Sequence, residues 1–83
     1  MKFKELSDKV QKSLIDDYIN WIVESVDFEG LNHNTNLYKA YKKSEDMRTP
    51  WFIGSYIWEY CENQIIKELS KYKYDEKGEI LHN

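Results

Sequence analysis

The sequence predicts an α+β fold in which three helices, two of them long and packed together, accompany a small antiparallel sheet. The first observation is a run of apolar residues at three- and four-residue spacing that begins near Asp8. The second is the Thr49-Pro50 pair, a strong signal for the start of another helix. The third is a set of short segments at both chain ends with the pattern of strands.

The first long helix is predicted from Asp8 to about Val26. Ser7 precedes it and is a good N-cap, because its hydroxyl can accept a hydrogen bond from the first turn. The apolar residues cover about half of the helix surface, with Asp16, Asn20 and Glu24 on the opposite side. This pattern indicates an amphipathic helix that packs on a broad front.

Two further helices follow a loop over 28–34. The second is predicted from Thr35 to about Ser44, with Lys39, Lys42 and Lys43 on its solvated side. The third is predicted from Pro50 to about Lys71. Thr49 is expected to cap it, and Pro50 suits the first helical position because no hydrogen bond is lost there.

The predicted sheet joins the two ends of the chain. Lys2–Leu6 alternates polar and apolar residues, as a strand or extended arm does. Residues 72–74 and 79–81 are expected to form a hairpin, in which Gly78 supplies the positive φ of the turn. The N-terminal arm would add a third strand, because a two-stranded hairpin alone is marginal in water.

Composition excludes several classes of site and function. The chain has 83 residues and a net charge of −3, so we expect residues 1–83 to form a single domain that does not bind nucleic acid directly. Cys61 is the only cysteine, and His33 and His82 are isolated, so neither a disulfide nor a zinc site is expected. With no apolar segment of membrane length and no signal peptide, the expected location is cytoplasmic.

The sequence holds no pattern that points to catalysis. Glycine-rich phosphate loops and the HExxH and GxSxG motifs are absent from it. His33 would act as a base only if the fold brought an acid to it, and Cys61 is expected to pack as a small apolar residue. We therefore expect a protein that is not an enzyme and takes no cofactor and no metal.

The third helix carries two different aromatic rows. One face should be core around a close helix contact at Gly54, and it holds Trp51, Ile57, Trp58, Cys61, Ile65 and Leu69. Phe52, Tyr56 and Tyr60 form a second row, rotated by more than a quarter turn. Either Leu37, Tyr38 and Tyr41 of the second helix cover this row, or it is an exposed interface patch.

An acidic stretch is the other candidate surface. Between Ser13 and Tyr38 the chain has no lysine or arginine, but it has five carboxylates: Asp16, Asp17, Glu24, Asp27 and Glu29. Such a surface can meet a basic groove on a partner, although the simpler interpretation is a solvated helix side. Asp16 and Asp17 are not a catalytic pair, because adjacent helical side chains point about 100° apart.

The opening Phe3-Lys4-Glu5-Leu6-Ser7 and the helix that follows resemble small accessory proteins of phages and prophages in low-GC bacteria. The sequence from Tyr74 to Leu81 also resembles these proteins, so the resemblance covers about 30 residues. It implies a mobile-element origin and a protein that binds and blocks a host protein, as anti-CRISPR proteins do. No functional residue is transferred by it.

These observations lead to two functional hypotheses. The first is a small non-enzymatic inhibitor of a host protein, with a CRISPR effector or another nucleic-acid-handling enzyme as the preferred target. Its binding surface would be the row of Phe52, Tyr56 and Tyr60 or the acidic stretch. The alternative is a self-associating structural or regulatory module that forms a homodimer through the aromatic row.

Overall fold

A computed structural model describes residues 1–81 of the chain, and within that range it contains three α-helices. These are α1 (Asp8–Ser25), α2 (Asn36–Asp46) and α3 (Ile53–Leu69). Short 3-10 helices occupy Phe3–Glu5, Phe28–Gly30 and Pro50–Phe52. The three predicted helices are present, but residues 1–81 form no β-strand and no sheet, so the predicted α+β class is wrong and this part of the chain is predominantly helical.

Two of the three predicted helix starts are confirmed in detail. The Ser7 hydroxyl accepts a hydrogen bond from the backbone N–H of Val10 at 3.3 Å. Thr35 caps α2 in the same way and accepts from the N–H of Tyr38 at 3.2 Å. Both side chains satisfy a donor that would otherwise lack an intrahelical partner.

The N-terminal arm is a helical turn, and the strand predicted over Lys2–Leu6 is wrong. Phe3 and Leu6 are both buried, and they are three residues apart. In a strand, residues three apart point to opposite faces, whereas in a 3-10 helix they share a face. The backbone N–H of Lys2 donates to the Glu5 carboxylate at 2.7 Å, which further stabilises the turn.

The predicted C-terminal hairpin is reduced to isolated bridges. Lys2 pairs with Lys73, and Tyr74 pairs with Ile80, each as a single antiparallel bridge. Gly78 has a φ of 87°, so the predicted positive-φ turn is confirmed. Tyr74 is buried, and its hydroxyl donates to the carbonyl of Leu69 at 2.6 Å, which binds this segment to the end of α3. His82, also considered above, lies outside the described residues.

The chain divides into two compact units. The central unit comprises Ile19–Glu62, and its most buried residues are Ile19, Ile22, Ala40, Ser44, Ile57 and Cys61. The terminal unit combines Met1–Tyr18 with residues 63–81 of the described chain, and its most buried residues are Phe3, Leu6, Ile65, Leu69 and Tyr74.

Candidate protein-interaction surface

The connection between α2 and α3 begins with a tight C-terminal cap on α2. The N–H of Arg48 donates to the carbonyl of Glu45, and the N–H of Thr49 donates to the carbonyl of Ser44, both at 2.9 Å. This pair of bonds is a Schellman motif, which requires a left-handed residue after the helix. Arg48 takes that conformation with a φ of 56°, and it is the only non-glycine residue with positive φ in the described chain.

The chain then enters a 3-10 turn at Pro50–Phe52, which packs against α2. The N–H of Phe52 donates to the carbonyl of Thr49 at 2.9 Å. The Thr49 side chain makes no capping bond, so its predicted role as N-cap is wrong. Its Oγ1 lies instead 3.2 Å from the hydroxyl of Tyr56, one turn into α3.

This geometry presents large apolar side chains to solvent. Trp51 is 71% exposed, Met47 is 55% exposed and Phe52 is 52% exposed. The rings of Trp51 and Phe52 lie against each other with centroids 6.1 Å apart. Together with Arg48, these residues form a surface that we call the exposed turn (Met47, Arg48, Trp51 and Phe52).

The predicted core face of α3 is confirmed except at its beginning. Ile57, Cys61, Ile65 and Leu69 are buried, and Trp58 is half-buried. Gly54 is closely approached, since a β-carbon there would lie 3.3 Å from Cγ2 of Ile19. The placement of Trp51 in the core is wrong, because residues 50–52 form a 3-10 turn with about 120° per residue, and the α-helical projection does not apply to them.

The predicted aromatic row does not form a uniform surface. Phe52 is exposed, whereas Tyr56 and Tyr60 are half-buried. The exposure of Phe52 shows that α2 does not cover that end of the row.

Tyr38 and Tyr41, which cover the row in one of the two interpretations of the sequence, contact the preceding loop. Tyr38 stacks on His33 with ring centroids 4.2 Å apart, and Tyr41 stacks on Phe28 at 5.3 Å. These contacts hold the loop on α2.

The acidic stretch is exposed along its whole length. This holds for all five of its carboxylates: Asp16, Asp17, Glu24, Asp27 and Glu29. None of them pairs with a basic side chain within residues 1–81. Asp16 and Asp17 belong to the terminal unit and the other three to the central unit. These carboxylates are therefore accessible to solvent. No buried polar side chain lies among them to indicate a preformed binding site.

In the central unit, Cys61 and Tyr41 are the titratable residues whose pKa values are raised above their ordinary range. Burial raises the pKa of the Cys61 thiol, which disfavours the reactive thiolate. A hydrogen bond to the Glu45 carboxylate raises the pKa of Tyr41 to about 12, and Glu29 adds to this effect. His33 packs its ring on Tyr38, and within residues 1–81 no group of three His, Cys, Asp or Glu side chains could hold a metal ion.

Sequence reasoning missed Met47, Arg48 and the exposure of Trp51. A signal for this surface is present in the sequence, because residues 47–58 are rich in aromatic residues and hold a single charge, that of Arg48.

Within the described residues no helix has the length and apolar character needed to cross a membrane. Comparison with protein-family models, curated proteins and solved structures finds no match.

Proposed function

We propose that this protein is a non-enzymatic binding protein that blocks a partner protein by covering part of its surface. The contact surface is the exposed turn. The observation that carries the proposal is Trp51, which is 71% exposed next to the half-exposed ring of Phe52 on a hydrogen-bonded turn. Tryptophan, methionine and arginine are the residues that interface centres favour, and a rigid turn presents them with little loss of conformational freedom.

The size of the exposed turn fits the centre of an interface. Large aromatic side chains bury about 150–250 Å² each, so the exposed parts of Met47, Trp51 and Phe52 offer on the order of 300–400 Å². A stable complex of standard size buries about 800 Å² on each partner. The turn therefore supplies the apolar centre, and polar residues around it supply the rim.

The resemblance to phage accessory proteins supports the choice of partner. It favours a host protein, and a nucleic-acid-handling enzyme such as a CRISPR effector is the first class to test. The exposed carboxylates of each unit, Asp16 and Asp17 in one and Glu24, Asp27 and Glu29 in the other, are further candidate contacts for a basic partner. They contribute less to the proposal, because exposed carboxylates on a helix are usually solvated.

Capture from a host lysate with matched variants tests the proposal. Trp51→Ser and Phe52→Ser should each abolish recovery of a specific protein and leave the circular dichroism spectrum unchanged. Tyr72→Ser is the control, because Tyr72 is also about half exposed but belongs to the terminal unit. Equal recovery with all three variants would rule out the exposed turn as the contact surface.

Light scattering on the same variants separates the proposal from self-association. The wild-type protein should be a monomer at micromolar concentration. A dimer that dissociates in Trp51→Ser would assign the turn to a homodimer interface and would contradict the inhibitor proposal.

A further inference from the structure

We infer that the partner site that receives the exposed turn is an apolar pocket bordered by a carboxylate, and that Arg48 selects for that carboxylate. This inference rests on the proposed function, because it specifies the chemistry of the partner that the turn would bind. It is carried by the backbone conformation of Arg48, by the charges around it and by its lack of an internal ion pair.

Arg48 occupies a position where its side chain has a conformational cost. Glycine, and sometimes asparagine, is usual at the left-handed residue of a Schellman motif, because a β-carbon is disfavoured there. Arg48 adopts this conformation with a φ of 56°. Residues held in such regions are concentrated at functional sites, where the surrounding structure offsets the strain.

The Arg48 guanidinium makes no ion pair within the described chain, although Glu45 and Asp46 precede it closely in sequence. The ion pairs of residues 1–81 join Lys42 to Asp46 and Lys71 to Glu68, and Arg48 is exposed without one. The structure therefore gives the guanidinium no internal role that would explain an arginine at this position.

The distribution of basic residues points in the same direction. The chain has 12 basic residues, and Arg48 is the single arginine among them. It is also the only charged residue from Met47 to Trp58. Arginine differs from lysine in having a planar fork that binds a carboxylate through two parallel hydrogen bonds. An exposed arginine in the same turn as two exposed aromatic rings thus matches a carboxylate near an apolar pocket.

Charge also distinguishes between a second copy of this chain and a different partner. A two-fold contact centred on the turn would bring the same surface of both copies together and place two Arg48 side chains near each other. Like charges at the centre of an interface disfavour association. A phosphate of a nucleic acid is disfavoured by the net charge of −3 and by the exposed carboxylates.

A display library of random peptides provides a defined probe. Peptides should be selected on the wild-type protein after depletion on Trp51→Ser. The enriched peptides should contain Asp or Glu next to aromatic or aliphatic residues. Arg48→Gly should weaken their binding at least tenfold, and Arg48→Lys should restore part of it, because lysine keeps the charge but not the fork.

Thermal unfolding tests whether Arg48→Gly loses peptide binding because the protein has lost its fold. Glycine relieves the left-handed strain, so the Tm of Arg48→Gly should rise while peptide affinity falls. If Arg48 has only a structural role, the Tm of Arg48→Gly should fall below that of the wild-type protein.

The remaining outcomes separate the inference from the proposed function. If Trp51→Ser loses peptide binding and Arg48→Gly does not, the inference is wrong and the proposed function stands. If the selection enriches nothing, or enriches peptides that bind all variants equally, both are wrong. Enrichment of basic or purely apolar peptides contradicts the inference. Binding of a single-stranded oligonucleotide that depends on Arg48 contradicts it as well. So does a dimer in sedimentation experiments that is lost in Trp51→Ser.

Discussion

The hydroxyl of Tyr56 lies 3.2 Å from Oγ1 of Thr49, and this bond joins the α2–α3 connection to the first full turn of α3. The Thr49 side chain makes this contact and no capping bond. The bond also assigns Tyr56 a structural role within the aromatic row. The exposed turn is thus held from both sides, by the Schellman motif before Thr49 and by Tyr56 after it.

Removing this bond should lower stability moderately. Tyr56→Phe and Thr49→Val are each expected to reduce the free energy of unfolding by about 0.5–1.5 kcal/mol, as for a typical side-chain hydrogen bond. Because the two variants remove the same interaction, the double variant should cost less than the sum of the single effects. Urea unfolding of the four proteins gives the coupling energy, and strict additivity would mean that the bond does not contribute.

Gly78 should tolerate no side chain. Its φ of 87° is unfavourable for other residues, and a β-carbon there would lie 2.7 Å from Cγ1 of Val10, whose branched side chain has little freedom on α1. We expect Gly78→Ala to reduce the free energy of unfolding by about 2–4 kcal/mol, the combined cost of backbone strain and overpacking.

Gly30→Ala is the matched control for that substitution. A β-carbon at Gly30 would lie 2.8 Å from Oδ2 of Asp27, which is the far end of an exposed side chain and can rotate away. Its effect on chemical denaturation should stay below about 1 kcal/mol. Similar losses in the two alanine variants would show that the turn at Gly78 is not constrained as the structure indicates.

The helices could be predicted because their signals are local. Ser7 acts as the predicted cap, α2 begins within one residue of its predicted start at Thr35, and apolar periodicity places Ile57, Cys61 and Ile65 on the buried face. Such signals depend on a few neighbouring residues, so tertiary context changes them little.

The predicted sheet fails because its signal is ambiguous over so few residues. Five residues of alternation at Lys2–Leu6 fit a strand, but the spacing of Phe3 and Leu6 also fits a 3-10 turn. The alternative that buries both side chains is the one formed. That preference depends on contacts from distant parts of the chain, which a single sequence does not reveal.

The candidate surface was predicted only in part for a similar reason. The sequence leaves open whether Phe52 is covered or exposed, and in the structure it is exposed. Trp51 is predicted to lie in the core only because the α-helical period is extended back to Pro50, where the chain forms a 3-10 turn instead. A proline at the start of a helix is compatible with a 3-10 turn as well as with an α-turn, and the two place the next residues on different sides.

Gly54 should accept alanine but nothing larger. A β-carbon would lie 3.3 Å from Cγ2 of Ile19, so a small displacement is required, and it opposes the gain in helix propensity of up to about 1 kcal/mol. Gly54→Ala should therefore change the free energy of unfolding by less than about 1 kcal/mol. Gly54→Leu should cost about 1–3 kcal/mol, as overpacking does. Thermal unfolding of both variants measures this, and a Leu variant as stable as wild type would exclude close packing at Ile19.

Tyr41 should make stability depend on pH in the alkaline range. The Glu45 carboxylate accepts its hydrogen bond and raises its pKa from 10.0 to about 12 in the folded protein. The fold therefore favours the protonated hydroxyl, and this contribution is fully present below pH 10. It decreases as pH rises from 10 to 12, because the unfolded chain ionises first. The urea midpoint of wild type should fall over this range more steeply than that of Tyr41→Phe.

The difference between the two proteins is the quantity to measure, since the pKa values of Tyr18 and Tyr74 are also raised and remain so in Tyr41→Phe. Glu45→Gln should lower the pKa of Tyr41 in a titration of its ring signals by NMR, because the neutral amide no longer opposes the phenolate. Asp46→Asn removes the neighbouring carboxylate, which pairs with Lys42, and should leave the titration of Tyr41 unchanged. Equal effects of the two substitutions would contradict the assignment of the shift to Glu45.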